Sequence, residues 1–381
     1  MKNIKFDLHD INLIPTESSK ISSRQECKVL SIFSSHIVTP RLSKMESLST
    51  QTRFDTLPLM ASPMDTVVDL RNIKDYTKNS IIPCIPRGQN TKKADIISQS
   101  FQAYGLKDIE YQLDEYFKRS NTTNTKLTFT SFLAFNSTAF YTKKNVLIDI
   151  ANGHMKKLEK LVKTIKNVFP DLNLMIGNVA NPKTYKRLSD AGADYVRCSV
   201  GSGAGCTTAA NVAVNYPLGS LISECYALKK EYKLNAKIVA DGGMKNFDDI
   251  IKVLALGANY AMIGSIFNKA IESAGFNYLW KIKINNYMAY KLWKWGFPIV
   301  KKYRGMSTKS VQRSWGKSKL VTAEGITKYQ KVNYNLDQWT ENFKDYLKST
   351  MSYCNAKTLE DFIGKAEYVF ITNAARKRFE K

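Results

Sequence analysis

The stretch GSGAGCTTAAN, residues 201–211, follows the apolar run Tyr195–Val200 and packs three glycines, a cysteine and two threonines into eleven positions. A thiolate nucleophile needs a neighbouring base or a site that lowers its pKa, and flanking glycines let a planar substrate approach. Cys206 has such glycines but no histidine near it in sequence. Residue types alone leave it either a nucleophile or a small residue in a tight turn. Two further stretches, ADGG (240–243) and MIGS (262–265), end successive apolar runs. Glycine turns in adjacent strands offer backbone N–H groups to a phosphate. Asp241 beside them suits ribose hydroxyls.

These residues need strands to hold them. From about residue 145 short apolar runs alternate with longer amphipathic stretches: NVLIDIANG, MKKLEKLVKTIKNVF, LNLMIGNVA, PKTYKRLSDAG, ADYVRCSVGSG, SLISECYALKKEY, AKIVADGG, NFDDIIKVLALG and NYAMIGSIF. Strands that are apolar throughout, separated by helices, predict a parallel sheet covered by helices. Strand after strand ends in Gly, Asp or Ser, whereas a doubly wound sheet concentrates its glycines at one turn. The expected fold is therefore a closed (β/α)8 barrel, whose strand ends converge on one mouth. It is expected to span residues 1–381 as one catalytic domain.

Two segments break the rhythm. Residues 111–129 read as a polar surface connection. Residues 277–305 interleave Trp, Tyr and Phe with six lysines and one arginine. That composition suits a nucleic-acid or membrane surface, but the expected reading of the 277–301 insertion is an excursion packed on the barrel, its lysines in water, with no nucleic-acid partner.

Composition narrows the class. The chain carries 57 Lys+Arg against 33 Asp+Glu, a net +24, spread along its length. Six cysteines (27, 84, 198, 206, 225 and 354) show no C-x-x-C pairing and only three histidines accompany them, which argues against a zinc site. Cys198, Cys225 and Cys354 are expected in the core. The N-terminus lacks a signal-peptide core and no run of 18 apolar residues occurs. A cytoplasmic protein with free thiols and no membrane contact is the expectation.

Taken in order, ASPMDTV (61–67), DIANG (149–153), GNVA (177–180), GADYVRCSVGSGAGCTT (192–208), ADGGM (240–244), MIGS (262–265), KYRGMS (302–307) and AEG (323–325) resemble the IMP dehydrogenase and GMP reductase family. FDLHDINLIPTESSKISSRQEC (6–27) and AEYVFITNAA (366–375) are similar to its two termini, so the resemblance spans nearly the whole chain. It implies that Cys206 attacks C2 of the purine, with Thr208 and Glu324 as a proton relay. It implies Asp241 at the ribose, Gly243, Gly264, Ser265 and Tyr303 at the 5′-phosphate, and Gly242 among the substrate-binding residues. Ser62, Met64, Gly305, Met306 and Ser307 would line the nucleotide. Asp149, Ile150 and Ala151, with Gly201 and Gly203, would meet the nicotinamide cofactor, and the carbonyls of Gly201, Gly203 and Cys206 would be K⁺ ligands as in the dehydrogenase. A homotetramer acting on a purine nucleotide is implied.

Within the family the resemblance leans to the reductase, which converts GMP to IMP and ammonia with NADPH. The flap between Met306 and Glu324 is short (307–323), and Arg313 is followed by Ser314 where the dehydrogenase has an Arg-Tyr pair. Only about 60 residues separate PRGQ (86–89) from DIANG, which leaves no room for the CBS pair that most dehydrogenases insert. ANG in place of AHG or SQG also resembles some reductases, while YRGM and MIGS are nearer to dehydrogenase wording. A dehydrogenase without CBS domains (IMP to XMP with NAD) and a non-catalytic purine-nucleotide-binding protein are the alternatives. The loop departs from the family's G-x-G-S-x-C at Ala204 and Gly205, and Val321 stands where many reductases have arginine.

Overall fold

The structure, a computed structural model, describes residues 4–39, 48–89, 99–122, 145–314, 322 and 324–379. Eight parallel strands close into a barrel: β1 (Leu59–Ala61), β2 (Ile82–Ile85), β3 (Phe101–Tyr104), β4 (Asn145–Asp149), β5 (Asn173–Val179), β6 (Tyr195–Cys198), β7 (Lys237–Asp241) and β8 (Tyr260–Ile263). Each pairs with the next, and β8 returns to β1 with Ala261 opposite Leu59. The (β/α)8 expectation is met.

The strands are mostly apolar because both faces are buried. Inside, Met60, Ile82, Phe101, Leu147, Met175, Tyr195, Val239 and Tyr260 form one cluster. Their neighbours along the strands, such as Leu59, Val146, Ile176 and Val196, face the helices. An antiparallel hairpin, Ser31–Thr39 with Leu48–Thr56, closes the N-terminal end. Its Phe33 is fully buried, with its ring 5.9 Å from that of Phe101. Emptying that site by Phe33→Ala would cost about 3–5 kcal/mol.

Among the described residues, helices cover the barrel between strands: α1 (Ile73–Lys78), α2 (Leu106–Thr122), α3 (Lys157–Val168), α4 (Pro182–Asp190), α5 (Leu218–Glu231) and α6 (Phe247–Ala255), followed by α7 (Leu336–Tyr353). Local signals start them. Asn181 caps α4 through the Lys183 N–H with Pro182 behind it, and Asn335 caps α7 through the Gln338 N–H. The polar connection expected over 111–129 is corrected in its first half: residues 111–122 belong to α2, and 123–129 lie outside the described residues. Ile109, Leu113 and Tyr116 recur at helical spacing and turn one face inward, with the Tyr116 ring 5.1 Å from Phe169.

After β8 the chain builds a satellite. Four antiparallel strands stand in the order Ile282–Ile284, Asn277–Leu279, Val300–Arg304, Thr327–Lys331. The helix Asn286–Lys294 packs with them on a small core of Ile271, Ala289, Ile299 and Val332. The termini meet in a two-stranded ribbon, Ile11–Leu13 with Tyr368–Phe370. Among the described residues no helix is long and apolar enough to cross a membrane.

Candidate active site

Closure brings the strand ends together. At the mouth Arg197, one residue before the end of β6, donates from Nη1 to Asp149 Oδ1 and from Nη2 to Asp241 Oδ2, each at 2.7 Å. Arg87 holds the other oxygen of Asp149 from Nε at 3.1 Å, and Asn178 Nδ2 reaches Asp241 Oδ2 at 2.5 Å. Burial penalises the charges of Asp149 and Arg197, but pairing outweighs it. Arg197 and Arg87 hold the Asp149 carboxyl below its usual range, and Asp241 and Asp149 hold the Arg197 guanidinium above its own.

The cysteine loop lies across this floor. Cys206 is half-buried, and its Sγ lies 3.2 Å from Thr208 Oγ1, which in turn donates to Glu324 Oε2 at 2.5 Å. Main-chain bonds fix the three: Thr207 N donates to Glu324 O at 2.8 Å, and Ile326 N to Gly205 O at 3.1 Å. Gly205 and Gly305 cross so closely that a Cβ on Gly305 would collide with the Gly205 carbonyl. A Cβ on Gly205 would itself stand 3.0 Å from the Tyr303 ring and 3.2 Å from Gly305 N, a tight fit that favours glycine before the cysteine. Of the other thiols, also free, Cys27, Cys84, Cys198 and Cys225 are buried, while Cys354, expected in the core, is half-buried against it. Burial pushes the thiols of Cys84, Cys225 and Cys354 up.

Around the cysteine, Ser62, Met64, Gly264 and Tyr303 cluster. A Cβ on Gly264 would stand 3.0 Å from Met64 Sδ, 3.4 Å from Tyr303 OH and 3.5 Å from Ser62 Oγ. Tyr303 is 3% exposed, and burial raises its pKa, with the charges of Asp241 and Cys206 adding to the effect. Its phenol therefore stays a donor. Gly242 and Gly243 adopt φ of +80° and +83° and pack on Gly203 and Ser202 respectively. Ser265 opens the turn after β8, and Ser307 lies beside Gly325. Met306 sits half-buried at the turn after Arg304. Ile150 pairs with Gly177 and Asn178 across the cis Gly177–Asn178 peptide, and Ala151 is exposed. Of the three carbonyls expected to take K⁺, that of Gly203 accepts the Cys206 N–H at 2.8 Å, while Gly201 lies under Ala209. In the flap, Arg313 is exposed at the end of the short helix Lys309–Ser314, whereas 315–321, Val321 among them, and 323 lie outside the described residues.

Sequence reasoning missed Arg197, Arg87 and the Arg304–Asp65 pair that ties the satellite to the loop after β1. A signal existed for the first, since Arg197 is the single charge in the run Tyr195–Val200.

Comparison with known proteins agrees with this geometry. The sequence model of the IMP dehydrogenase / GMP reductase domain matches residues 28–380. An inosine-5′-monophosphate dehydrogenase of Chlorobaculum parvum is 34% identical over 229 residues, 60% of this chain but 45% of that protein. The chain thus spans less than half the length of that relative. A GMP reductase of Bacillus licheniformis is 28% identical over 98% of both chains, and one of Helicobacter pylori 26% identical over 97% of both. With the barrel, the mouth and a domain match that runs almost from end to end, the chain belongs to the IMP dehydrogenase / GMP reductase family.

Proposed function

We propose that this chain is a GMP reductase, and the observation that carries the reading is the unbroken line from Cys206 Sγ through Thr208 Oγ1 to Glu324 Oε2, at 3.2 and 2.5 Å. The Cys206 thiol loses its proton along that line as sulfur adds to C2 of GMP. Glu324 returns the proton through Thr208 to the amino group, which leaves as ammonia. A positioned acid–base pair of this kind contributes about 10²–10⁴-fold. A nicotinamide cofactor, NADPH in this reading, supplies a hydride to C2 when bound. Cys206 sulfur then departs as the thiolate, IMP is released, and a proton from solvent restores the thiol.

The mouth has acceptors for both ligands. On Asp149, Arg197 occupies one lone pair of Oδ1, so one acceptor position remains there for a cofactor hydroxyl. Both contacts to Asp241 fall on Oδ2, which leaves Oδ1 for the substrate ribose. Tyr303, Gly243, Gly264 and Ser265 take the 5′-phosphate, and Ser202 against Gly243 offers the hydroxyl that Ala204 lacks. Ser62, Met64, Met306 and Ser307 line the base. K⁺ enters no step.

Coverage supports the reductase over the dehydrogenase: the two relatives named GMP reductase align over 97–98% of this chain, while the Chlorobaculum parvum dehydrogenase aligns over 60%. The dehydrogenase reading keeps the higher identity, 34%. Near-ultraviolet absorbance of reduced nicotinamide decides between them. Consumption of NADPH with GMP, one ammonia per turnover, supports the reductase. Formation of NADH from IMP and NAD without that activity overturns it, and silence in both assays with GMP still bound leaves a binding protein.

A further inference from the structure

The 51 residues between Glu272 and Glu324 contain nine lysines, two arginines and no acidic residue. Eleven of the chain's 24 surplus positive charges therefore lie in about one-seventh of its length. The satellite exposes four of these lysines, Lys281, Lys283, Lys291 and Lys294, beside open rings. Trp280, Tyr287 and Trp295 are 69%, 70% and 73% exposed. Among the described residues none of Lys281, Lys283, Lys291 or Lys294 is in an ion pair. Instead Lys291 Nζ sits 4.6 Å from the Tyr287 ring centre, Lys294 Nζ 4.8 Å from that of Tyr290, and Lys283 Nζ 3.5 Å from that of Phe276.

The backbone at the tip adds a second observation. Leu279 and Ile282 pair across a two-residue turn whose residues, Trp280 and Lys281, have φ of +48° and +72°. Such turns ordinarily take Asn-Gly, because L side chains disfavour this region. A Trp and a Lys are held there against local preference, as happens where a tip is selected for contact.

We propose that this outer face of the satellite binds single-stranded nucleic acid, with bases stacking on Trp280, Tyr287 and Trp295 and phosphates meeting Lys281, Lys291 and Lys294. The charge requires a polyanion, which rules out a second copy of the same basic face. The arrangement also disfavours a membrane. The helix Asn286–Lys294 has already turned its apolar side, Ala289 with Leu292 and Trp293, onto Ile271, Ile299 and Val332. What faces solvent alternates rings with cations, which suits alternating bases and phosphates, and is not the continuous apolar face that a lipid surface takes.

The test is fluorescence anisotropy of short labelled oligo-uridine and oligo-thymidine with the full chain across a salt series, alongside its tryptophan emission. Expected are saturable binding that weakens as salt rises and quenching of tryptophan. Trp280→Ala and Tyr287→Ala each weaken binding roughly tenfold. Lys291→Glu and Lys294→Glu each lower the log–log salt slope by about one or more. Turnover is unchanged in all four variants. A preference for either oligonucleotide supports the proposal and tells RNA from DNA. No binding overturns it. So does binding that ignores the ring variants and is matched by polyglutamate, or capture by phosphatidylglycerol vesicles alone.

Discussion

The barrel mouth and the satellite share one strand, Val300–Arg304, and treat charge in opposite ways. Towards the mouth, Arg304 is locked on Asp65, and Arg197 stands between Asp149 and Asp241. In the satellite, Lys301 is buried and donates to the carbonyls of Ser273 and Gly275, and Lys283, Lys291 and Lys294 rest on rings. Paired charges have one low-energy geometry, which a reacting centre needs. Unpaired cations beside rings accept many geometries, which suits a surface that meets a flexible partner.

Five substitutions break or sharpen that contrast. The largest effect belongs to the mouth: Cys206→Ala should lower turnover of GMP by at least about 10⁴-fold while GMP still binds, as read by NADPH consumption and calorimetry. Full turnover in that protein would sink the mechanism. Arg197→Met comes next, because it strands two carboxylates that are 14% and 12% exposed. A loss of about 3–5 kcal/mol in urea unfolding is expected. Glu324→Gln keeps the fold and removes the proton acceptor, so kcat should drop by about 10²-fold or more with KM for GMP little changed.

The satellite gives smaller effects. Burial pushes the Lys301 ammonium down to about 7 from an ordinary 10.5, against the opposing pull of Glu272 and Asp69. Below pH 7 the amine is protonated in both the folded and the unfolded chain. Between 7 and 10.5 the unfolded chain binds a proton that the folded chain does not, so stability rises with pH through that window. Relative to Lys301→Met, the wild type should gain at most about 1.4 kcal/mol per pH unit there, and an equal pH response of the two proteins would contradict the assignment. Trp280→Ser should shift stability by only about 0.5 kcal/mol, and a larger loss would mean that its ring packs rather than waits for a ligand.

Much of the mouth was legible because local chemistry announces it. Glycines after apolar runs, Asp241 between Ala240 and Gly242, and small residues at successive strand ends predicted both the barrel and the glycine turns at its rim. The partner of Thr208 was not legible by spacing, since Glu324 lies 116 positions away and entered only through resemblance. Arg197 went unread as well, although a charge in an apolar strand always needs a partner. The satellite's composition was plain, but which of its rings were core and which were surface was not: Trp293 packs inward while Trp295, two residues on, stands in solvent.

The sequence by itself determined the alternation of strand and helix, the free cysteine on its glycine loop and the basic, acid-free stretch before Glu324. Those are properties of neighbours along the chain, where periodicity and turn chemistry act. Tertiary structure alone decided that Asp149, Arg197 and Asp241, 48 and 44 positions apart, share one network, and that Cys206 meets Glu324. Closing β8 onto β1 forces eight distant strand ends to one rim, and burial there leaves each charge stable only beside its opposite.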